Sequence, residues 1–339
     1  MALRVRLGNL ARSRAVTMPT THRLDDSGVH YAWDRTVVPR LTVDPGDTVE
    51  LSTRDAADHY YNAASTHADC RRKGPLTGHP LTGPIAVRGA RPGDALAISI
   101  LDVVPTLDFG WTAIRPGKGL LPEQEFPRHH LQIWDLSDGA CARMPQRADV
   151  AIPFAPFPGI VGTALAREGS HSTIPPRENG GNMDLKHLTK GSVLWLPVWV
   201  DDALVSIGDA HAAQGDGEVC VTAIEMSARV TVKIDLLERA GFDEPRLRTA
   251  GPLCAATNTG PHFATTAHGP DLYECAQRAV RQMIDHLVAE RGLSREEAYI
   301  LCSVTVDLKI NEIVDAPNWL VSAFLPESVF VDRPSHGRS

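Results

Sequence analysis

Residues 34–55 read DRTVVPRLTVDPGDTVELSTRD, and residues 83–103 read GPIAVRGARPGDALAISILDV. In the first stretch Leu41 and Val43 alternate with polar neighbours, Asp44-Pro45-Gly46-Asp47 follows, and alternation resumes at Val49 and Leu51. In the second, Ile85 and Val87 lead through Ala90-Arg91-Pro92-Gly93-Asp94 to Leu96, Ile98 and Ile100. A period of two puts the apolar side chains on one face of an extended chain, and Pro-Gly-Asp is a turn signal. Both stretches therefore predict strand, turn, strand: one hairpin type used twice, without the period of a solenoid.

Outward from these stretches the pattern stays extended. Residues 193–200, VLWLPVWV, are a continuous apolar run that fits a buried strand. Leu204–Ile207 also reads as a strand, and 219–237, VCVTAIEMSARVTVKIDLL, predicts two more. Helical spacing appears late: Leu272, Ala276, Ala279, Met283 and Leu287 step by three and four, with Gly292 as the stop. Ser294-Arg295-Glu296-Glu297 is a capping box that opens a second helix running through Cys302. Leu308–Val314 and Leu320–Leu325 close the chain as strands. The fold class is mainly β over about 30–240, with a smaller α/β part over about 241–331, and no clean linker divides them.

Composition narrows the function. The chain has 339 residues, 43% hydrophobic and 22% charged, which excludes disorder as its main state. With 41 acidic residues against 34 basic ones the net charge is −7, a poor match for nucleic-acid phosphates. No apolar run approaches the ~20 residues that span a bilayer, so no membrane partner is expected. Arg4, Arg6, Arg12 and Arg14 break up the apolar residues near the start, so residues 1–20 read as a flexible basic arm and not as a secretory signal. Six scattered cysteines, none spaced C-x-x-C, argue for reduced thiols and a cytoplasmic protein.

Three polar segments interrupt the strands. The sharpest is 208–218, GDAHAAQGDGE, with Asp209, His211, Gln214, Asp216 and Glu218 set among glycines and alanines at a strand end. Small residues let a ligand approach the backbone closely, and an acidic surface loop needs no histidine and glutamine between alanines. The second is Glu178–Asp184, ENGGNMD, which presents Asn182 and Asp184 from a tight turn; N-G-G is also a common turn. The third, 55–79, carries Asp55, Asp58, His59, His67, Asp69 and His79. Carboxylate and imidazole suit a divalent metal, although no pair has a diagnostic spacing. The G-x-S-x-G elbow, the Walker A loop and GxGxxG are all missing, which leaves metal- or carboxylate-assisted hydrolysis as the leading class.

At these residues the chain resembles the acetamidase/formamidase family. The resemblance rests on Pro80-Leu81-Thr82-Gly83-Pro84 with the following Pro-Gly-Asp turn, on Gly180-Gly181-Asn182-Met183-Asp184, and on the whole 208–218 segment. Ser294–Tyr299 and Val314–Trp319 extend it to the C-terminus, in order across about residues 35–331. It implies one catalytic domain over 21–331, with β-sandwich-like and small barrel-like parts beside the α/β part. It also implies a metal-dependent amidohydrolase that splits short aliphatic amides into ammonia and a carboxylate, with zinc or calcium bound and a homodimer or larger homo-oligomer. Carried over by position, Asp55, His79, Asp184 and His211 are the expected metal residues. Glu218 is the expected general base, with Asn182, Asp209 and Gln214 orienting amide or water.

One segment departs from the family. After Thr53-Arg54-Asp55-Ala56 the family commonly shows a Gly-Gln pair and an acid-rich stretch; here Asp58-His59-Tyr60-Tyr61-Asn62 and Ser65–Cys70 stand instead. Two tyrosines and the added His67 in a pocket wall would alter its size and polarity, so a different or larger amide is an open alternative. The competing class is a non-catalytic, metal-containing β-sandwich that binds a ligand without releasing ammonia.

Overall fold

The computed structural model describes residues 18–73, 78–251, 253 and 260–331. The expected basic arm, apart from Met18–Thr20, lies outside these residues, as does Cys254. The fold is mainly β, 39% strand and 14% helix. A six-stranded sheet runs in the order Thr21–Leu24, Thr48–Thr53, Ala228–Leu237, Ala95–Pro105, Val193–Pro197 and Arg246–Arg248. A ten-stranded sheet runs Arg147–Pro153, Cys141–Met144, His130–Asp135, Phe109–Ile114, Glu225–Met226, Val205–His211, Phe157–Gly162 and Gly180–Asn182. Leu81–Val87 branches from Val205–His211 and carries Leu41–Val43 beside it. This sheet does not close into a barrel.

The two Pro-Gly-Asp stretches form the predicted strands but not hairpins. Leu41–Val43 pairs in parallel with Leu81–Val87, whereas Thr48–Thr53 joins the other sheet between Thr21–Leu24 and Ala228–Leu237. Likewise Leu81–Val87 lies in the ten-stranded sheet and Ala95–Pro105 in the six-stranded one. Each turn is an arch from sheet to sheet, a corner of a sandwich. Gly46 and Gly93 take the positive φ the corner needs. The aspartate after each glycine holds it: Asp47 accepts from the Asp44 and Thr20 N–H groups, and Asp94 from those of Arg91 and Arg239.

The inner faces interdigitate. Val49, Leu51, Ile98, Ile100, Val230 and Val232 of one sheet share a core with Ile85, Val87, Val161, Val205 and Ile207 of the other, all at most 1% exposed. The 193–200 run is a strand only over Val193–Pro197, with Leu194 and Leu196 inward and Trp195 partly exposed. At the C-terminus, Leu272–Arg291 is capped by Asp271 and ended by Gly292, and Arg295–Thr305 opens on the Ser294–Glu297 capping box. These helices pack on a sheet of His262–Gly269, Trp319–Pro326 and Asp307–Glu312. The Tyr299 hydroxyl donates to the Val219 carbonyl and accepts from the Leu121 N–H, fastening this part to the β-sandwich.

Candidate active site

The 208–218 segment starts inside a strand. Val205–His211 continues through Gly208, Asp209, Ala210 and His211, all buried, and the loop begins only at Ala212. Ladder pairing sets the face on which His211 lies: Phe157 opposes His211, His211 opposes Glu225, and Glu225 opposes Trp111. Opposed residues share a face, so these four side chains form a row across four strands. The Phe157 ring stands edge-on to the imidazole with centroids 5.1 Å apart.

Four carboxylates gather at this imidazole. His211 Nε2 lies 3.5 Å from Asp209 Oδ1 and 3.2 Å from Glu225 Oε2. Asp184, His211 and Glu218 offer atoms within 4.8 Å of one another, and Asp209, His211 and Glu225 do the same. His79 Nε2 is 4.0 Å from Asp209 Oδ2, while its Nδ1 meets Thr173 Oγ1 at 3.1 Å. Gly159 makes room: a Cβ there would lie 2.7 Å from Asp184 Oδ1 and 2.8 Å from His211 Cε1.

Burial and close neighbours shift these groups in opposite directions. Burial, with Asp209 nearby, pushes the Asp184 carboxyl up to about 7 against the pull of His211. Burial also pushes Glu225 up to about 8, and burial together with Asp184 raises Glu218 well above the usual range. Asp209 goes the other way: His79 and His211 outweigh its burial and hold it low. The His211 imidazole is raised, because Glu225 and Asp209 overcome its desolvation. Asp184, Asp209 and Glu218 all sit at positive φ (47°, 55° and 42°), a costly backbone state that clusters at functional sites.

This donor set fits a cation. Asp184 Oδ1, Asp209 Oδ1, His211 Nε2 and Glu225 Oε2 are buried without a hydrogen-bond partner. Buried polar atoms are almost always paired, so orphans in two carboxylate groups that share the His211 imidazole match a cation.

Asp184, Asp209, His211, Gln214 and Glu218 thus come together, with His79 at the edge. Asp55 belongs to neither carboxylate group. Its carboxylate accepts from the Ala57 and His59 N–H groups, Trp111 Nε1–H and the Ser227 hydroxyl, so it fastens the tyrosine-bearing loop to the strands around Glu225. Asn182 opposes Ile160, which opposes Gly208. Phe157 and Ile160 are three residues apart, an odd number, so Asn182 faces away from His211. Its Nδ2 donates to the Ile174 carbonyl. In the departing loop, Tyr61 packs edge-on to Trp111 at 4.8 Å and its hydroxyl accepts from Arg115. Leu131 N–H donates to His67 Nδ1, and Tyr60 and His59 remain exposed. Sequence reasoning missed Glu225. Its signal was an acid between Ile224 and Met226 in a stretch read as a strand.

Carboxylates that can take up and return protons beside one imidazole suit hydrolytic chemistry, and the sequence comparisons give the family. The chain belongs to the Acetamidase/Formamidase family, whose model matches residues 16–171 and 164–332. Formamidase from Methylophilus methylotrophus is 28% identical over 370 residues, covering 90% of each chain. Among solved structures, gamma lactamase from Delftia acidovorans matches with a TM-score of 0.84 and 25% identity, over 94% of this chain and 95% of that one. Acetamidase from Bacillus halodurans matches with a TM-score of 0.62 and 31% identity, over 89% and 96%. The protein is therefore an amidase, a hydrolase of amide C–N bonds. Among the described residues no helix is long and apolar enough to cross a membrane.

Proposed function

We propose that the protein hydrolyses a small amide to ammonia and a carboxylate at the His211 cluster, with Glu218 as general base and a divalent cation, zinc first, held by Asp184, Asp209, His211 and Glu225. The observation that carries this reading is the set of four buried, unpartnered ligand atoms around His211, beside the raised Glu218 carboxyl. A bound cation supplies Lewis-acid polarisation of the amide carbonyl and a water of lowered pKa.

The chain's own groups handle the protons. Burial and the neighbouring Asp184 raise the Glu218 carboxyl well above its usual range. As a carboxylate it takes a proton from water as the water oxygen bonds to the amide carbon. The C–N bond then breaks as Glu218 returns that proton to the departing nitrogen. His79 Nε2, 4.0 Å from Asp209 Oδ2, steadies that carboxylate beside the cation site. Phe157 and Trp111, both buried, exclude bulk water from the row.

Glu218→Gln tests the assignment. It keeps the side chain's shape and removes the base, so kcat should fall by about 10²–10⁴ while the unfolding temperature and metal content hold. Undiminished turnover would refute the role. The free state of the five described cysteines fits the cytoplasmic location included in this proposal, and a homo-oligomeric enzyme is proposed with it.

A second reading changes only the substrate. The TM-score of 0.84 to a gamma lactamase, against 0.62 to an acetamidase, favours a larger or cyclic amide. Turnover of a γ-lactam above that of acetamide would establish it, and the reverse order would remove it.

A further inference from the structure

We propose that Gln214 is a positioning residue, which fixes the His211 imidazole with its proton on Nδ1 and so leaves Nε2 as the ring atom that faces the cation site. This rests on the reading of that cluster given above and deepens it: Gln214 acts through His211, not on the amide. The argument starts from an atom whose role is not open. The Asp184 backbone carbonyl can only accept a hydrogen bond, and a Gln214 terminal atom lies 2.8 Å from it. That atom must be the amide nitrogen. The other end of the amide is then the oxygen Oε1, which lies 2.9 Å from His211 Nδ1. An oxygen without a proton only accepts, so Nδ1 carries the hydrogen and donates it. In the neutral ring Nε2 is then a bare lone pair, facing the Asp209 and Glu225 carboxylates at 3.5 and 3.2 Å. A lone pair against two acceptors is repulsive until a cation or a proton stands between them. Gln214 makes the site demand one.

The backbone keeps Gln214 from drifting. Ala212 N–H donates to the Ile224 carbonyl and Gly215 N–H to the Ser303 carbonyl, pinning the chain on both sides. At Gly215 a Cβ would lie 2.2 Å from the Val306 carbonyl oxygen, so the segment is pressed against the C-terminal part. Three ring atoms of the imidazole are then accounted for: Nδ1 by Gln214, Cε1 by the close approach of Gly159 and Nε2 by the carboxylates, with the Phe157 ring packed T-shaped against it. The same amide also anchors the Asp184 turn, so one side chain sets both a ring and a carboxylate.

Two variants separate the roles. Gln214→Leu removes both hydrogen bonds at similar bulk, while Gln214→Glu still accepts from Nδ1–H but cannot donate to the Asp184 carbonyl. Zinc affinity is measured by chelator competition, and the His211 Nδ1–H proton is followed by nitrogen-15 NMR in metal-free protein, at alkaline pH so that the ring is neutral, assigned by its loss in His211→Asn. Orienting residues of this kind are worth about 10–100-fold in metal affinity, so Gln214→Leu should lose that much and its Nδ1–H signal, whereas Gln214→Glu should keep the signal and bind zinc within about threefold of wild type. Unchanged zinc affinity and ring signal in Gln214→Leu would overturn the proposal. So would Gln214→Glu as weak as Gln214→Leu, because the Asp184 tether would then be the part that matters. Should Gln214→Leu fail to fold, the zinc affinity and ring signal of Gln214→Glu decide alone. Should wild-type protein bind neither zinc nor calcium, the cation reading fails by itself and the ring signal alone decides Gln214: its persistence in Gln214→Leu overturns the proposal, its loss sustains it.

Discussion

Gly159→Ala isolates the packing on which the site depends. A methyl on Gly159 would sit 2.7 Å from Asp184 Oδ1, 2.7 Å from the Asp209 carbonyl oxygen and 2.8 Å from His211 Cε1, where ordinary contact begins at 3.4 Å. Restoring that spacing requires Asp184 to move by about 0.7 Å and the imidazole by about 0.6 Å. The backbone cannot yield instead, because Pro158 and Ile160 are in register with Ala210 and Gly208 on the next strand. Overpacking of this kind costs about 1–3 kcal/mol, which lowers the unfolding temperature of a protein this size by roughly 1–4 °C. The effect on rate is larger: misplacing reacting groups by close to 1 Å costs on the order of 10²-fold in kcat. Calorimetry and ammonia release from the best amide read both quantities. Wild-type kcat at an unchanged unfolding temperature would refute the claim that Asp184 and His211 meet over Gly159.

Three further expectations follow from individual side chains. Asp55→Ala leaves four donors without their acceptor and should cost on the order of 3 kcal/mol in stability with metal content per chain unchanged; lost metal at unchanged stability would instead make Asp55 a ligand. Burial, with His67 beside it, lowers the His130 imidazole to about 4, below the ordinary 6.5, so the unfolded chain binds the extra proton between those values. Stability from this residue is therefore present above pH 6.5 and lost as pH falls toward 4, and His130→Phe should flatten that slope in urea unfolding; an unaltered slope contradicts the assignment. Lys186 joins Asp216 and Asp307, tying the loops of Asp184 and Glu218 to the C-terminal part; Lys186→Met should lower kcat more than it raises KM, and an effect on KM alone would point to a substrate contact instead.

Much of this was legible in the sequence, and the exceptions have physical causes. Alternation and turn chemistry located Leu41–Val43, Thr48–Thr53, Leu81–Val87 and Ala95–Pro105, but both are local. Whether the chain after a Pro-Gly-Asp turn pairs with the strand before it depends on distant strands such as Ala228–Leu237, so arches read as hairpins. The 208–218 and 180–184 segments supplied Asp184, Asp209, His211, Gln214 and Glu218, because polar groups among glycines and alanines have little packing value. Glu225 escaped, since only three-dimensional ladder pairing shows that it opposes His211. Asp55 is expected near the metal from its place in the family pattern, and nothing in the sequence signals that backbone N–H groups and Trp111 engage its oxygens. Asn182 lies two residues from Asp184, yet the strand's register turns its side chain to the opposite face.

The most direct test is ammonia release by protein stripped of metal with a chelator and titrated back with zinc, over amides from formamide to a γ-lactam. The account predicts no turnover in the stripped protein and a rise in proportion to bound metal. Full-rate hydrolysis by protein shown by elemental analysis to be metal-free would contradict it.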